Sequence, residues 1–140
     1  MRSICSAVIA PGVSPVGWAL ATTAGTSVIM VFRSDKGGQM ALYRVGIGTA
    51  GDEELLMKSD VNLFPESFTP DGKTLIYVTT TGSRDVFALP LSGDRISIQI
   101  TNTAFIEGFP KLSPDGRWFA YVSNESGRDE IYAQSFPVNH

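Results

Sequence analysis

The sequence predicts an all-β fold built from copies of one short unit, and two observations carry this prediction. First, residues 109–122 repeat the order of residue types in residues 64–78, and Pro114 follows Pro70 by 44 positions. A period of roughly 40–45 residues is typical of repeat proteins in which each copy is one supersecondary unit. Second, 14 Gly and 8 Pro in a chain that is 43% hydrophobic indicate many turns between short buried strands.

The last copy shows the unit most clearly. Residues 114–117 read Pro-Asp-Gly-Arg, a turn in which Asp bonds the local backbone and Gly supplies a positive φ. An apolar run over residues 118–122 follows, and it is predicted to be a strand that is buried on both faces. A short extended segment over residues 111–113 precedes the turn, and another strand is predicted over residues 130–136.

The middle copy has the same order of elements. Its Pro-Asp-Gly-Lys turn at residues 70–73 leads to a doubly buried strand predicted over residues 74–79, and a second turn leads to a strand over residues 86–91. Residues 96–101 alternate between apolar and polar side chains, which is the pattern of a half-exposed outer strand. The unit therefore contains four strands.

The first copy is degenerate. Residues 22–25 read Thr-Thr-Ala-Gly where the middle copy, 47 positions later, has Thr-Pro-Asp-Gly, and we interpret them as the first turn. An apolar strand over residues 28–31, a strand over residues 40–47 and a short fourth strand over residues 54–57 complete this copy.

Four short antiparallel strands in a period of this length describe one blade of a β-propeller. We therefore predict an all-β propeller fragment of about three blades: a degenerate blade 1 over residues 17–58, blade 2 over residues 59–101 and an incomplete blade 3 over residues 102–140. Propellers usually have about four to eight blades, so three would leave an open arc with exposed apolar faces. Either the chain is part of a longer ring, or other copies of the chain complete the ring.

Residues 1–16 precede the first blade and have two interpretations. Residues 3–10 suit an outer strand for a neighbouring or closing blade, and a dimer would bring the chain ends together to give about six blades. Arg2 with the apolar residues after it is instead the pattern of a signal peptide, although Pro11 and Gly12 interrupt the apolar core. No apolar run in the sequence reaches the length of a membrane span.

Composition argues against several classes of function. The formal net charge is −3 and the 11 Lys and Arg residues are scattered, so a nucleic-acid partner is not expected. Cys5 is the single cysteine and His140 the single histidine, and they stand at opposite ends of the chain. We therefore predict no catalytic residues, no metal site and no cofactor.

Candidate binding residues come from two kinds of position. Three lie in the links between blades, residues 59–64 and 102–109, and such links commonly carry the residues that bind ligands or partners. The other four form two Arg-Asp pairs, one in the second turn of the middle copy and one in the second turn of the last copy. These pairs either bond the loop backbone or a neighbouring blade, or form a charged ring at the mouth of the channel. The candidates for binding a protein or small ligand at the loop face are Asp60, Asn62, Arg84, Asp85, Glu107, Arg128 and Asp129.

The last copy also carries a family resemblance. Ser-Pro-Asp-Gly-Arg at residues 113–117 and Ala-Tyr-Val at residues 120–122, continued by residues 123–132, resemble the WD40-like repeat of TolB-like β-propellers. The segment is most similar to propellers at the C-terminal end of bacterial Ser/Thr protein kinases. The resemblance covers residues 17–136 and departs from the family pattern in the first turn, where Pro-Asp is absent.

The resemblance implies a non-catalytic module for protein–protein interaction or ligand sensing. It would be part of a larger bacterial signalling protein, in an extracytoplasmic (periplasmic) setting. Similar propellers also gate substrate entry in prolyl-oligopeptidase-like serine peptidases, which is the first alternative. The second alternative is a purely structural fragment that self-assembles into a ring.

Overall fold

Three antiparallel β-sheets make up the regular structure of the described residues. The computed structural model describes residues 19–24, 27–47 and 52–137, and every regular element in these ranges is a strand. Sheet A contains β1 (Ala19–Ala24), β2 (Ser27–Ser34), β3 (Met40–Ile47) and β4 (Glu54–Ser59). Sheet B contains β5 (Asn62–Phe68), β6 (Thr74–Thr80), β7 (Arg84–Pro90) and β8 (Ile98–Gln99). Sheet C contains β9 (Glu107–Leu112), β10 (Trp118–Ser123) and β11 (Glu130–Ser135).

In each sheet a strand pairs with the next strand in the chain, so all connections are hairpins. The prediction of an all-β fold is confirmed. The chain divides into two compact units between Pro65 and Glu66, a boundary that falls inside β5. The predicted strand or signal over residues 3–10 lies outside the described residues. Within the described ranges, no helix has the length and apolar character that a membrane crossing requires.

Sheet A belongs to the first unit and corrects one prediction. The register pairs Ala24 with Ser27, so β1 runs through residues 22–24, and the turn predicted over residues 22–25 is wrong for these three. The reason is the missing Pro-Asp, because a proline removes a backbone donor and ends strand pairing, whereas Thr22 and Thr23 are β-branched and favour a strand.

The Pro-Asp-Gly turn of sheet B closes on itself through side chains. The Thr69 hydroxyl donates to the Asp71 carboxylate (2.6 Å), which also accepts from the backbone N–H of Lys73 (3.0 Å). The Thr69 oxygen accepts in turn from the N–H of Thr74 (3.1 Å). These hydrogen bonds, the one from Thr69 first, lower the pKa of Asp71.

The equivalent turn of sheet C repeats this network. The Ser113 hydroxyl donates to Asp115 (2.5 Å) and accepts from the N–H of Trp118 (3.0 Å), and the pKa of Asp115 is held well below its usual range, chiefly by Ser113. The two turns also touch. Gly116 has φ +70°, and a Cβ at this position would lie 3.2 Å from Cδ of Pro70, so both conformation and space favour glycine here.

The predicted outer strand over residues 96–101 is much shorter in the structure, where β8 contains only Ile98–Gln99. Arg95 has a positive φ of 51°, which turns the chain just before this segment. At the other end, the Thr101 hydroxyl accepts the backbone N–H of Val86 (2.9 Å) and replaces a ladder hydrogen bond. The alternating pattern identified the strand but not these two interruptions.

The two central strands differ in burial although the sequence predicts the same for both. In β6, Leu75, Ile76, Tyr77 and Val78 are all buried, so the prediction of two buried faces is confirmed. In β10, Phe119 is fully buried but its neighbour Trp118 is 56% exposed, so the prediction is wrong for this strand. Adjacent residues of a strand point to opposite faces, so in the described residues one face of sheet C is open.

Candidate functional site

The link between sheets B and C brings Arg84 against the start of β9. The backbone of Arg84 forms a parallel bridge with Ile106. Its guanidinium lies 6.0 Å from the ring centroid of Phe109. A Cβ on Gly108 would lie 3.5 Å from one guanidinium nitrogen of Arg84. The second unit therefore places a cation of sheet B directly over the first strand of sheet C.

Phe109 is held in an uncommon conformation. Its φ is +54°, although it is not a glycine, and its side chain is 64% exposed. A left-handed conformation costs about 1–2 kcal/mol for a residue with a Cβ, and such strain is found most often at functional sites. Phe105 and Ile106, in the link just before it, are also exposed. Three large apolar side chains therefore face solvent within five residues.

Opposite charges accompany this apolar cluster. Glu66 on β5 and Lys111 on β9 each follow a Phe-Pro pair in their own repeat. Burial raises the pKa of Glu66, and the positive charges of Lys111 and Arg84 act in the opposite direction. The carboxylate of Glu66 therefore offsets part of the charge of two nearby cations.

We refer to five side chains of the second unit as the link patch: Arg84, Phe105, Ile106, Phe109 and Lys111. All five are exposed. The patch combines two cations with three apolar side chains, a composition that complements a segment carrying carboxylates beside apolar or aromatic groups.

The first unit contains a related contact that clarifies what is particular to the link patch. Phe64 stands in the Phe-Pro pair of the earlier repeat, and the guanidinium of Arg33 lies 4.4 Å from its ring centroid. Phe64 is only half exposed. An arginine on the phenylalanine of Phe-Pro is thus a recurring feature of the fold, whereas the strained and exposed ring is specific to Phe109.

Glu107 was predicted to be a binding residue and is fully buried. One carboxylate oxygen accepts from the Thr103 hydroxyl (3.0 Å), and the other has no hydrogen-bond partner among the described residues. The pKa of Tyr121 is raised by burial and, to a smaller degree, by the charge of Glu107. Glu107 therefore lies beneath the link and orders it through Thr103.

The two candidates of the first link lie at the start of β5. Asp60 is exposed, and its carboxylate accepts from the side-chain amide of Gln39 (2.7 Å). Asn62 is exposed and is the first residue of β5. These residues belong to the first unit, and their role in binding stays a prediction.

The strand register tests whether the two Arg-Asp pairs are equivalent. Asp85 pairs with Thr79, and Thr79 lies seven residues after Gly72 of the Pro-Asp-Gly turn. Glu130 lies opposite Ser123, which has the same spacing from its own turn glycine. The counterpart of Asp85 is therefore Glu130, so the two pairs are out of register by one residue and do not form a ring of equivalent positions.

The members of the pairs also differ in their contacts. Asp85 is half-buried and accepts from the Ser83 hydroxyl (3.3 Å). Arg128 lies in the longer second turn of sheet C and donates to Glu130 (2.8 Å), and Asp129 is exposed in the same turn. Of the predicted residues, the structure brings Arg84 into the link patch.

Four members of the link patch were missed from the sequence. Phe105, Ile106 and Phe109 read as ordinary apolar link residues, and Lys111 reads as part of the short extended segment over residues 111–113. The repeated Phe-Pro pair, followed by Glu66 in one copy and Lys111 in the other, is the signal that points to them.

Solved structures similar to the chain are TolB proteins. The structure of a putative TolB from Agrobacterium tumefaciens matches 76% of the chain with a TM-score of 0.65 and 22% identity, and the match covers 38% of that structure. The crystal structure of TolB from Acinetobacter baumannii matches 80% of the chain with a TM-score of 0.67 and 24% identity, covering 28% of that structure.

The sequence comparison agrees. A protein TolB homolog from Chlorobaculum tepidum is 23% identical over 107 residues, which are 76% of the chain and 23% of that protein. No protein-family profile matches the chain. The chain therefore has the fold of a TolB-like β-propeller fragment and spans between about a quarter and two fifths of the length of these relatives.

Proposed function

We propose that the chain is a non-catalytic propeller module that binds segments of other proteins through the link patch. The observation that carries the proposal is Phe109, whose ring is exposed and whose backbone is strained. Strain of this kind persists only where the surroundings impose it, and here Arg84 and the buried Pro110 flank the residue.

The composition of the link patch supports a partner of defined chemistry. A bound segment would bury Phe109 and Ile106, and full burial of such a side chain contributes about 1.5–3 kcal/mol. A carboxylate of the segment would lie between Arg84 and Lys111 and make charge-assisted hydrogen bonds. We therefore expect short segments with Asp or Glu next to an aromatic or aliphatic residue.

A displayed library of random peptides tests this proposal. Selection on the wild-type chain is expected to enrich acidic-apolar peptides, and Arg84→Glu is expected to weaken a selected peptide by about tenfold or more. Lys73→Glu is the matched control, because Lys73 is also an exposed cation of the second unit but belongs neither to the patch nor to the candidate binding residues. Equal loss in both variants, or no enrichment, contradicts the proposal.

A second variant separates binding from folding. Phe109→Gly removes the ring and relieves the positive φ, so it is expected to abolish peptide binding without lowering the free energy of unfolding. If Phe109 were only structural, the same change would destabilise the chain and leave binding intact.

We also propose that a second copy of the chain completes the ring, with residues 3–10 as the outer strand on β11. Two observations support this. Sheet C has three strands in the described residues where sheets A and B have four, and β11 is one of its two edge strands. An open strand edge presents unpaired backbone groups that favour pairing with another strand.

The wider setting is proposed on the resemblance to TolB-like propellers alone. We propose that the module works in an extracytoplasmic location as a sensor within a signalling protein. The neighbouring coding sequence tests this role: an upstream kinase domain supports it, and a downstream Gly-x-Ser-x-Gly motif supports a peptidase gate instead.

A further inference from the structure

The open face of sheet C carries a row of apolar side chains. Trp118, Ala120 and Val122 alternate along β10, so they point to the same side. The register places Ala133 opposite Ala120 and Ile131 opposite Val122, which extends the row onto β11. Ile131 is 79% exposed, so the face is open to solvent.

The same face of sheet B is buried along its two central strands. Residues at the matching positions of β6 and β7 are all buried: Ile76, Val78, Val86 and Ala88. Arg84 alternates with Val86 on β7 and therefore lies on this face, and it contacts Phe109 of sheet C. Sheet C thus covers this face of sheet B, and its own equivalent face is where one more sheet would pack.

Sheet A also has an exposed apolar face, and it corresponds to the side of sheet C that lies opposite the open face. Val28 and Ile47 are directly opposed and exposed, and Leu55 extends the same face across β4 through its pairing with Tyr43. Arg33 points to the other side of the sheet, because it is an odd number of residues from Val28. The side of sheet A that carries Arg33 thus corresponds to the side of sheet B that carries Arg84, and the Val28 side corresponds to the covered side of sheet C.

We infer that the open face of sheet C in one copy packs head-to-tail on the Val28 face of sheet A in a second copy. This inference rests on the proposed self-association and names the surfaces that perform it. The contact would repeat, between chains, the packing that sheets B and C already make within the chain. Both surfaces present exposed apolar side chains, Trp118 and Ile131 on one and Val28, Ile47 and Leu55 on the other, so their burial would drive the association.

Solution mass of the full chain tests the inference. The wild type is expected to reach twice the 15.1 kDa chain mass as its concentration rises. Ile131→Glu and Ile47→Glu are each expected to raise the dissociation constant by about 10- to 100-fold, because each places a charge in the apolar contact. Ile96→Glu is the matched control. Ile96 is 71% exposed and belongs to neither of the two named faces, so this variant is expected to associate like the wild type.

Mixing the two variants tests the direction of the contact. An Ile131→Glu copy keeps an intact sheet A face and an Ile47→Glu copy keeps an intact sheet C face, so one head-to-tail contact forms and the paired mass returns.

A wild type that stays at the single-chain mass at all concentrations overturns the inference together with ring completion. Association that survives both variants overturns only the named surfaces. Association that is lost with Ile131→Glu alone indicates a symmetric contact between sheet C faces and also overturns the inference. Peptide binding to the link patch is a separate measurement, so its failure is distinguishable from each of these results.

Discussion

Sheets B and C carry nearly the same sequence of turn and strand, yet they differ in what is buried. Val86 of β7 is fully buried, whereas Ile131, at the equivalent position of β11, is 79% exposed. The side chains are almost alike, so the difference lies in the neighbours: sheet C lies on one side of Val86, and in the described residues no sheet lies on Ile131. The repeat therefore encodes the strands and turns of a blade, but the burial of a blade depends on the next one.

The sharpest way to break this comparison is to place the same charge at both positions. Val86→Glu is expected to lower the free energy of unfolding by about 4 kcal/mol or more, because it buries an unpaired carboxylate. Ile131→Glu is expected to change it by about 0.5 kcal/mol or less. Urea unfolding in the Ile47→Glu background, where association is removed, measures both. Similar losses at the two sites would mean that the two faces are equally covered.

A second pair of substitutions examines the contact between the two Pro-Asp-Gly turns. Gly116 and Gly93 have nearly the same φ, +70° and +69°, but only Gly116 has a close neighbour, Pro70. Alanine at either position is expected to cost about 1 kcal/mol for the left-handed conformation. Gly116→Ala is expected to cost about 1 kcal/mol more, since its Cβ would crowd Pro70.

Thermal or urea unfolding compares these variants. Adding Pro70→Ala should recover most of the extra loss in Gly116→Ala and none of the loss in Gly93→Ala. Equal destabilisation by the two glycine substitutions would show that the turns do not depend on each other.

The smallest expected effect concerns the pH dependence that Glu66 gives to sheets B and C. Burial raises the pKa of Glu66 above 4.5, so the folded chain holds this proton more tightly than the unfolded chain. The stabilisation that follows is complete below pH 4.5 and is lost as the pH rises through the folded-state value.

Glu66→Gln cannot titrate at this position. Its free energy of unfolding is therefore expected to improve relative to the wild type as the pH rises from 4 towards 7. Unfolding curves at several pH values measure the difference. Lys111→Met should enlarge it, because Lys111 opposes the shift, and a difference that is flat with pH would contradict the burial of this carboxylate.

The sequence predicts the strands of sheets B and C because the local signals are strong. Pro70-Asp71-Gly72 ends one strand and turns the chain, and the apolar residues after it can form only a buried strand at this length. Where the signal is weaker the prediction is wrong: Thr22 and Thr23 continue a strand where a turn is predicted, because pairing with β2 outweighs the partial likeness to the motif.

The link patch could not be predicted in the same way. Its members come from three separate segments, and the features that mark it are the positive φ of Phe109 and the approach of Arg84. Neither is a property of local residue type. The buried position of Glu107 was likewise missed, because an acidic residue in a link reads as exposed until its packing is known.

The turn made by Thr69 and Asp71, and its copy made by Ser113 and Asp115, each form their side-chain hydrogen bonds within six consecutive residues. Each turn is therefore stabilised from within, and the two turns meet where Pro70 approaches Gly116. Because these hydrogen bonds are local, the duplication or loss of a whole repeat leaves each remaining turn intact. A repeat protein of this kind can therefore change its length during evolution without new substitutions in its turns.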